Sequence, residues 1–504
     1  MKDKFTLAAG ILRKPLIGVF SIWLLLIVFG ILQNPNFSLL NTTPLIVIIA
    51  VTFSVLVIAI FKIPKIQQGW RFLFITHKWW SVFVITVLCL VWQFFIVTQL
   101  ITPIGFDVQF IHGALQHPQS AETAWYFKYN PNNLFLVFFQ KTLLNFFHAT
   151  PTWHNLGILS FCCVVGSFIF NTLSIYFLKP QHTITTVYLQ DLLLVLFPMV
   201  IVPYSDTMVM PLVSFYLLGF ILLKVRHSFS IQFLGCLCLA LGLTGAYLMK
   251  PSAIVPFIAI MISELLLAFD HIFRIQRLPH LKSILLLFIF LGITIPLTLQ
   301  YQHFANTQHF ITYAKGHEEP PIHFISMGMS NGGGFNQEEV IRNQQLKTVK
   351  ERSRYSQKLI KQRLKHFGFW GGYLKFLLLK NQNNTSDGTF GWNKEGRFIL
   401  AKPTNLIKAF FYPGGKYLGD YYWFAQLFWL VFSLILLLGV NYIDEFSQVF
   451  RLAIIGGLSF LLLFEGGRSR YLIQFLPVFL LLFGLVAETA FAKIKESMAV
   501  FKKD

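Results

Sequence analysis

Charged residues are scarce in this chain. Only 12% of its 504 residues are Asp, Glu, Lys or Arg, whereas 55% are apolar, and a soluble globular protein carries about 25% charged residues. So few charges exclude water as the main solvent of the folded chain, and a lipid bilayer must take its place.

Cysteine is scarce as well, and its positions exclude the usual cysteine-based frameworks. Five cysteines occur, all inside apolar segments: Cys89, Cys162, Cys163, Cys236 and Cys238. Because there is no CxxC pair, the sequence predicts small buried side chains, and neither a disulfide framework nor a zinc site.

The motifs of several common enzyme classes are missing too. The chain has no HExxH, P-loop or GxSxG motif, and no repeat of fixed period is visible, which argues against a transporter built from duplicated halves. Residues 332–334 are three glycines without the lysine of a phosphate-binding loop, so we interpret them as a hinge or cap. Four irregularly spaced histidines do not predict a metal site: His303, His309, His317 and His323.

What the chain has instead is a series of long apolar segments. A helix needs about 20 apolar residues to cross a hydrocarbon core of about 30 Å. The first segment exceeds the usual signal-peptide length and lacks a cleavage pattern, so it predicts a membrane anchor. The sequence predicts an all-α polytopic membrane protein with about twelve transmembrane helices, near residues 16–33, 44–61, 80–101, 156–178, 185–202, 208–223, 231–249, 252–269, 283–300, 423–440, 452–464 and 471–489.

Basic residues in the short connections predict the orientation of these spans. Lys and Arg near helix ends are retained on the cytoplasmic side, and they follow spans two, six and eight and close the C-terminus. This pattern places both termini in the cytoplasm of a multi-pass cell-membrane protein. The net charge of +20 then suits anionic headgroups and phosphorylated lipids, and does not indicate nucleic acid as a partner.

The segment 133–147 is apolar but too short to cross the bilayer, and its polar residues gather on one side. We expect a juxtamembrane helix lying in the interface, with a bent re-entrant pair as the alternative. The chain then divides into two additional N-terminal spans (1–79), a transmembrane core with its first outside loop at 102–155 (80–300), a basic outside loop domain (301–422) and the C-terminal spans (423–504).

The loop domain holds most of the residues outside the membrane and is strongly basic. It has 17 Lys and Arg against 8 Asp and Glu, and long loops are translocated regardless of charge. The charge predicts attraction to an anionic cell-envelope polymer or glycolipid as acceptor, or to the lipid surface itself. Asn336 is a predicted helix cap, and we expect a basic helix from there to about residue 365.

Two acidic residues at the outside ends of spans are candidates for catalysis. Asp107 follows span three, and Asp206 lies in the tight turn between spans five and six. A partly desolvated acid at the membrane rim suits a general base for an acceptor hydroxyl. The alternative for Asp107 is a solvated loop acid or a helix cap, and the alternative for Asp206 is a helix cap.

Cationic side chains on the same predicted face are suited to hold a phosphate. Lys250 ends span seven, and the last outside turn reads Gly-Arg-Ser-Arg-Tyr at 467–471. Arginine binds phosphate through two parallel hydrogen bonds, and lysine binds it as a point charge. Snorkelling towards ordinary headgroups is the alternative explanation. The candidates for binding a lipid-linked phosphate are Lys250, Arg468, Arg470 and Tyr471.

Together these motifs resemble the GT-C superfamily of polytopic glycosyltransferases, which use polyprenyl-phosphate sugars. The resemblance extends over roughly residues 80–490 and rests on Asp107, the Lys-Tyr-Asn-Pro-Asn-Asn segment at 128–133, Asp206 and the 467–471 motif. More narrowly, the run Asn-Thr-Ser-Asp-Gly-Thr-Phe-Gly-Trp at 384–392 looks like one in a Gram-positive bacterial family of that superfamily reported beside a type-G exosortase.

The resemblance implies that Asp107 is the catalytic base, with Asp206 as a second candidate, and that Lys250 and Arg470 hold the donor phosphate. Some relatives use a divalent cation, so metal dependence stays open. The resemblance also suggests five candidates for the acceptor site or the surrounding loops: Lys128, Asn130, Asn132, Asp387 and Trp392.

The expected function is transfer of a sugar from a polyprenyl-phosphate donor to an extracytoplasmic cell-envelope acceptor. A transporter or flippase of lipid-linked saccharides is the alternative from another class, but ionisable residues within the spans are few, Asp191 being the clearest. A surface-polysaccharide polymerase or ligase has closely related chemistry. The sugar and the acceptor depend on the shape of a pocket, which these motifs do not determine.

Overall fold

The computed structural model describes residues 7–226, 228–275, 281–394 and 402–500. Over these residues the chain forms 22 α-helices joined by short 3-10 and π-helical turns. The helices up to the middle of the chain are α1 (Leu7–Leu32), α2 (Leu45–Lys62), α3 (Pro64–Arg71), α4 (Lys78–Leu100), α5 (Asp107–Gln116), α6 (Ala121–Tyr129), α7 (Leu134–Phe146), α8 (Trp153–Leu178), α9 (Thr183–Val195), α10 (Ser205–Met208), α11 (Met210–Val225), α12 (Phe229–Met249) and α13 (Val255–Ile275). The rest are α14 (Leu281–Thr307), α15 (Pro321–Met327), α16 (Gln337–Gln344), α17 (Val349–Phe367), α18 (Tyr373–Thr385), α19 (Leu406–Phe411), α20 (Leu418–Leu438), α21 (Glu445–Leu463) and α22 (Leu476–Val500).

The predicted all-α polytopic architecture is confirmed. Within the described residues, 11 helical segments are long and apolar enough to cross a membrane, and the remaining predicted crossing is broken. The prediction of one continuous helix over 185–202 is wrong, because α9 ends at Val195 and a separate 3-10 turn, Pro198–Ile201, completes the passage. Pro198 cannot donate a backbone hydrogen bond to a continuing helix, which explains the break.

The two predicted outside regions lie together at one end of the helix bundle, here called the site end, where α1, α4 and α12 finish. The first loop contacts the loop domain directly: the Gln119 side chain donates to the carbonyl of His309 at 2.8 Å, and the Glu319 amide donates to the carbonyl of Tyr129 at 3.0 Å. At the opposite end, Lys224 forms ion pairs with Glu264 (2.9 Å) and Glu445 (2.8 Å). The alternation of spans therefore brings both loop regions to the same end.

The short amphipathic segment is a helix, α7, of 13 residues, as the sequence predicts. Its polar side chains do not all face outwards, since Gln140 is fully buried and donates to the carbonyl of Pro203 at 2.8 Å. Consequently α7 packs beneath the turn that leads from α9 into α10, and part of its polar face supports that turn.

Two spans contribute little to the protein interior. In the most apolar 18-residue stretch of α2, only 6% of the residues are buried in the protein, and in that of α14 none are. Most apolar side chains of α2 and about half of those of α14 stay exposed, and such surfaces are stable only in hydrocarbon, so these two helices face lipid.

The connection between α1 and α2 fastens the N-terminal spans to the site end. The Asn34 side chain donates to the carbonyl of Ser386 at 3.1 Å, and the Thr43 amide donates to Asp420 at 2.9 Å. The ring of Phe37 stacks on Trp423 with centroids 5.7 Å apart. The N-terminal spans therefore pack against the first turns of α20 and against the residue that follows α18.

The predicted single basic helix from Asn336 to residue 365 is wrong in its continuity. Asn336 does cap a helix, with its side chain accepting from the Glu339 amide at 3.1 Å, but that helix is the short α16. A second helix, α17, is capped by Thr348, whose side chain and that of Glu351 form a reciprocal capping box. A capping box satisfies two amides that have no partner within the helix and so starts α17 independently.

Candidate functional site

A cavity of about 420 Å³ lies between the site end of the bundle and the loop domain. One wall belongs to the helices and loops at the membrane, and the other belongs to α15, α16 and the segment before them. The polar and aromatic side chains that line it include Asp107, Trp125, Tyr126, Asn130, Glu319, His323, Phe335, Lys394, Glu465, Arg468, Arg470 and Tyr471.

Asp107 opens α5 and faces this cavity. It does not cap the helix, because the cap position is Phe106, whose backbone has a φ of 57°. A positive φ is strained for a residue with a large side chain, and such strain is often found at functional sites. The carboxylate instead accepts hydrogen bonds from the Tyr126 hydroxyl (3.0 Å) and the Tyr204 hydroxyl (3.2 Å).

The two tyrosines are permanent hydrogen-bond donors to Asp107. Burial, followed by the nearby Asp107 charge, raises the pKa of both hydroxyls well above the usual value. The Asn133 side chain donates to the Tyr126 hydroxyl at 2.6 Å and fixes its direction. A carboxylate has about four acceptor positions, so two hydrogen bonds orient Asp107 and leave room for a further donor.

Asp206 occupies a different environment from Asp107. It is 1% exposed and does not line the cavity. One of its oxygens forms an ion pair with the Lys250 ammonium, and the other lies 2.9 Å from Nε of Arg470. Asp206 therefore balances two buried cations, and the alternative of a helix cap is wrong for it as well.

Arg470 links the two aspartates. Its guanidinium lies over the ring of Tyr204, 5.0 Å from the centroid, while Tyr204 donates to Asp107. Its ion pair with Asp206 holds the guanidinium from behind. The Lys250 ammonium lies 4.6 Å above the centroid of the Tyr471 ring, one layer away from the cavity surface. The structure thus brings together the predicted residues from three distant parts of the chain.

The turn that presents Arg468 and Arg470 is held by the loop domain. The Arg468 amide donates to the Asn384 side chain at 2.9 Å, and the Gly467 amide donates to the carbonyl of Gly333 at 2.5 Å. Gly333 has a φ of +92°, and a Cβ there would approach the Gly467 nitrogen to 2.9 Å. The glycines at 332–334 therefore allow a close backbone contact, which the interpretation as a hinge or cap did not anticipate.

A half-buried carboxyl, Glu465, and a buried amine, Lys380, lie near this turn. Burial raises the pKa of Glu465, and burial lowers the pKa of Lys380 to about 8, while the attraction of Glu465 opposes that fall. Glu465 also lines the cavity. The sequence analysis did not single out either residue, because nothing in the local sequence shows that they approach each other.

Asp387 and Trp392 shape the loop behind the turn and do not line the cavity. Asp387 accepts from the Thr389 amide at 3.0 Å and from the Ser469 hydroxyl at 3.4 Å. Trp392 is 0% exposed, and its indole donates to the carbonyl of Phe411 at 2.5 Å. Asp387 therefore supports the 467–471 turn through Ser469, while Trp392 fixes its own loop against Phe411.

The segment 128–133 contributes unevenly to the site. Asn130 lines the cavity, Asn132 is exposed, and the Lys128 ammonium lies 5.1 Å from the centroid of the Tyr129 ring without lining the cavity. The residue that reaches the catalytic candidate is Asn133, through Tyr126. Asn133 takes part in the site because the turn after α6 brings its side chain to the Tyr126 hydroxyl. The sequence does not show this contact.

The loop-domain wall carries two titratable groups that the sequence analysis did not select for catalysis. Burial raises the pKa of Glu319 to about 7, although Arg352 opposes the shift. Burial lowers the pKa of His323, whose ring nitrogen lies 2.7 Å from the Asn343 amide group. Among the described residues there is no group of three His, Cys, Asp or Glu side chains that could hold a metal ion.

A family model agrees with this architecture. The model described as "conserved hypothetical integral membrane protein" matches residues 9–491. No curated protein and no solved structure matches the chain. Because the matched region includes every predicted span and the whole site, the chain belongs to this family of integral membrane proteins.

Proposed function

We propose that this protein is a membrane glycosyltransferase of the GT-C type, which transfers a sugar from a polyprenyl-phosphate donor to a cell-envelope acceptor. One observation carries the proposal: Asp107, held by two neutral hydroxyl donors, lines the same cavity as Arg468 and Arg470. A carboxylate base and phosphate-binding cations in one cavity are what an acid–base displacement on a phosphate-linked sugar requires.

The donor phosphate would lie on the membrane wall of the cavity. Arg470 is fixed by Asp206 and by the ring of Tyr204, so its guanidinium needs little reorganisation when an anion binds. Arg468 and Tyr471 line the same wall. Because this wall lies where the spans end, a lipid-linked donor can present its phosphate there while its hydrocarbon chain remains in the bilayer.

The reaction is a displacement at the anomeric carbon. The acceptor oxygen forms a bond to that carbon while the bond from the carbon to the phosphate oxygen breaks, and its electrons leave with the polyprenyl phosphate. The acceptor proton moves to Asp107. Arg468 and Arg470 stabilise the negative charge that grows on the departing phosphate, and such preorganised electrostatics commonly supply the largest catalytic contribution.

We place the site on the extracytoplasmic face of a cell membrane. The basic connections at the opposite end of the bundle support this orientation. In a variant without the native cysteines, Lys375→Cys lies on the loop domain and Gln68→Cys at the opposite end, and both positions are exposed. An impermeant thiol reagent applied to intact cells should label Lys375→Cys alone, and labelling of Gln68→Cys alone would reverse the orientation.

The decisive experiment uses the purified protein and a defined polyprenyl-phosphate sugar with a radiolabelled sugar group. We expect label to appear in a product that no longer carries the lipid, and Asp107→Asn to slow its formation by about 10²- to 10⁴-fold. A single acceptor unit separates one transfer from chain extension. If reconstituted vesicles moved the intact lipid-linked sugar across the bilayer without cleaving it, the protein would be a carrier and the proposal would be wrong.

A further inference from the structure

The outer surface of α17 carries a row of cations. The five side chains at positions 350, 354, 358, 361 and 365 are all Lys or Arg and all exposed. At 3.6 residues per turn they fall within an arc of about 80°, and at 1.5 Å per residue the row is about 22 Å long. We call these five residues the cationic row: Lys350, Arg354, Lys358, Lys361 and Lys365.

Acidic side chains do not neutralise the cationic row. Within the described ranges, no carboxylate lies at ion-pair distance from any of its five members. The nearest acid along the helix, Glu351, is used elsewhere, since its carboxylate accepts from the amides of Lys347 (3.1 Å) and Thr348 (3.2 Å). Five like charges one helical turn apart repel each other, and a bound polyanion would relieve that repulsion.

The opposite surface of α17 fixes the helix against the cavity wall. Arg363 donates to the carbonyl of Ser326 at 2.5 Å and to the Glu339 carboxylate at 2.6 Å, and Arg352 donates to the carbonyl of Leu346 at 3.0 Å. Ser326 belongs to α15, whose residues His323 and Phe324 line the cavity. The cationic row is therefore separated from the cavity wall by about one helix diameter, roughly 10 Å.

The side chains beside the row favour a polymer in water over the bilayer. A helix that lies on a membrane has bulky apolar residues beside its cations. Here the exposed neighbours are Gln357, Gln362 and Glu351, with Leu364 as the one large apolar side chain among them. The remaining face is occupied by the contacts to α15, so it is not available to enter lipid.

We infer that the cationic row is a docking surface for a linear phosphate-containing polymer, and that this polymer is the acceptor or carries it. The docking surface follows from the charge and geometry of α17, whereas the role of the polymer as acceptor rests on the proposed function. A line of regularly spaced cations matches a chain of repeated anions better than it matches a single phosphate. A polymer lying along α17 would bring neighbouring units within reach of the cavity.

The test measures binding of fluorescently labelled long-chain linear polyphosphate to the full-length protein in phosphatidylcholine nanodiscs, with dextran as the neutral polymer. One variant replaces four lysines of the row: Lys350→Gln, Lys358→Gln, Lys361→Gln and Lys365→Gln. The matched control removes the same charge from exposed positions elsewhere in the loop domain: Lys315→Gln, Lys375→Gln, Lys402→Gln and Lys416→Gln.

We expect the row variant to bind polyphosphate at least about ten-fold more weakly than the native protein, with a smaller dependence on salt, and the control to change by less than about two-fold. Equal losses from both variants would mean diffuse attraction by net charge and would overturn the inference. The inference would also be overturned if the native protein did not bind polyphosphate. Binding that disappears in phosphatidylglycerol nanodiscs would assign the row to lipid headgroups.

This assay contains no sugar donor, so it is independent of catalysis. Asp107→Asn should bind polyphosphate like the native protein. If sugar transfer fails while docking persists, the proposed function falls and the docking surface stands. If transfer occurs on a neutral acceptor and the row variant has native binding and turnover, the docking surface falls and the proposed function stands.

Discussion

Asp107 and Asp206 lie at the same end of the bundle, one layer of side chains apart, in opposite electrostatic settings. Asp107 lines the cavity and accepts hydrogen bonds from two neutral hydroxyls. Asp206 is buried behind the cavity and forms ion pairs with Lys250 and Arg470. The side chains are chemically identical, but only the first can receive a proton from a molecule in the cavity.

The comparison separates an acid that the cavity can reach from an acid that only holds its neighbours in place. A buried ion pair contributes little net stability, but removal of one partner is costly because the other charge remains buried. In the proposed function, Asp206 fixes the direction of Arg470, and Asp107 remains available to accept a proton. Three substitutions test this division, and a fourth tests the opposite wall of the cavity.

The largest effect is expected for Asp107→Asn. The amide keeps the size of the side chain but cannot accept a proton, so sugar transfer should fall by about 10²- to 10⁴-fold. Donor binding and the unfolding temperature should stay near native. The exposed Glu122→Gln on α6 is the control and should retain native turnover. Native turnover by a folded Asp107→Asn protein would rule out this base.

Asp206→Asn should instead act on stability. It leaves Lys250 and Arg470 buried without their carboxylate, which should cost about 3–5 kcal/mol. Thermal unfolding in detergent measures the loss, and the exposed Glu338→Gln should unfold like the native protein. If Asp206→Asn unfolded normally and lost only turnover, the roles of the two aspartates would have to be exchanged.

Arg470→Ala should weaken donor affinity with a smaller loss of stability, since Asp206 retains Lys250. Loss of a charge-assisted hydrogen bond to the donor phosphate is worth about 1.5–3 kcal/mol, or roughly ten- to a hundred-fold in affinity. Equilibrium binding of a polyprenyl-phosphate sugar measures it. Arg342→Ala removes an exposed arginine on α16 as the control, and equal binding by both variants would contradict a phosphate contact.

The smallest effect is expected for Glu319, which lies on the cavity wall formed by the loop domain. Because the pKa of Glu319 is raised to about 7, the folded state holds a proton that the unfolded state releases at lower pH. Stability should therefore fall as pH rises towards 7. Glu319→Gln removes this penalty and should stabilise the protein by about 1–2 kcal/mol at pH 8, allowing for partial exposure.

The unfolding temperatures of Glu319→Gln and of the native protein, measured at pH 5 and pH 8, test whether the stability change depends on pH in the expected direction. The difference between variant and native protein should be small at pH 5 and positive at pH 8. A gain of equal size at both values would show that the carboxyl does not titrate near neutral pH in the folded protein.

Much of the architecture follows from local sequence, and the two wrong helix predictions also have local causes. The spans are predictable because the length and polarity of a segment decide whether it can lie in a bilayer. The break after Val195 follows from Pro198, and the start of α17 from the pairing of Thr348 with Glu351. Both signals are visible in the sequence.

The site was less predictable, because its contacts join segments far apart in the chain. The sequence picks out Asp107, Lys250 and Arg470 by residue type and by position at span ends. Glu319 carries no such signal, and Asn133 is marked only as the last residue of the 128–133 segment. Their surroundings depend on how the loop domain packs on the bundle, through contacts such as that between Glu319 and Tyr129.

The sequence by itself determined that this protein is a helical membrane protein whose loop regions meet at one end, because apolar length and charge act within each segment. Only the tertiary structure decided which aspartate faces the cavity and which is enclosed by cations. Burial and ion pairing depend on distances between side chains from different helices, and folding alone sets those distances.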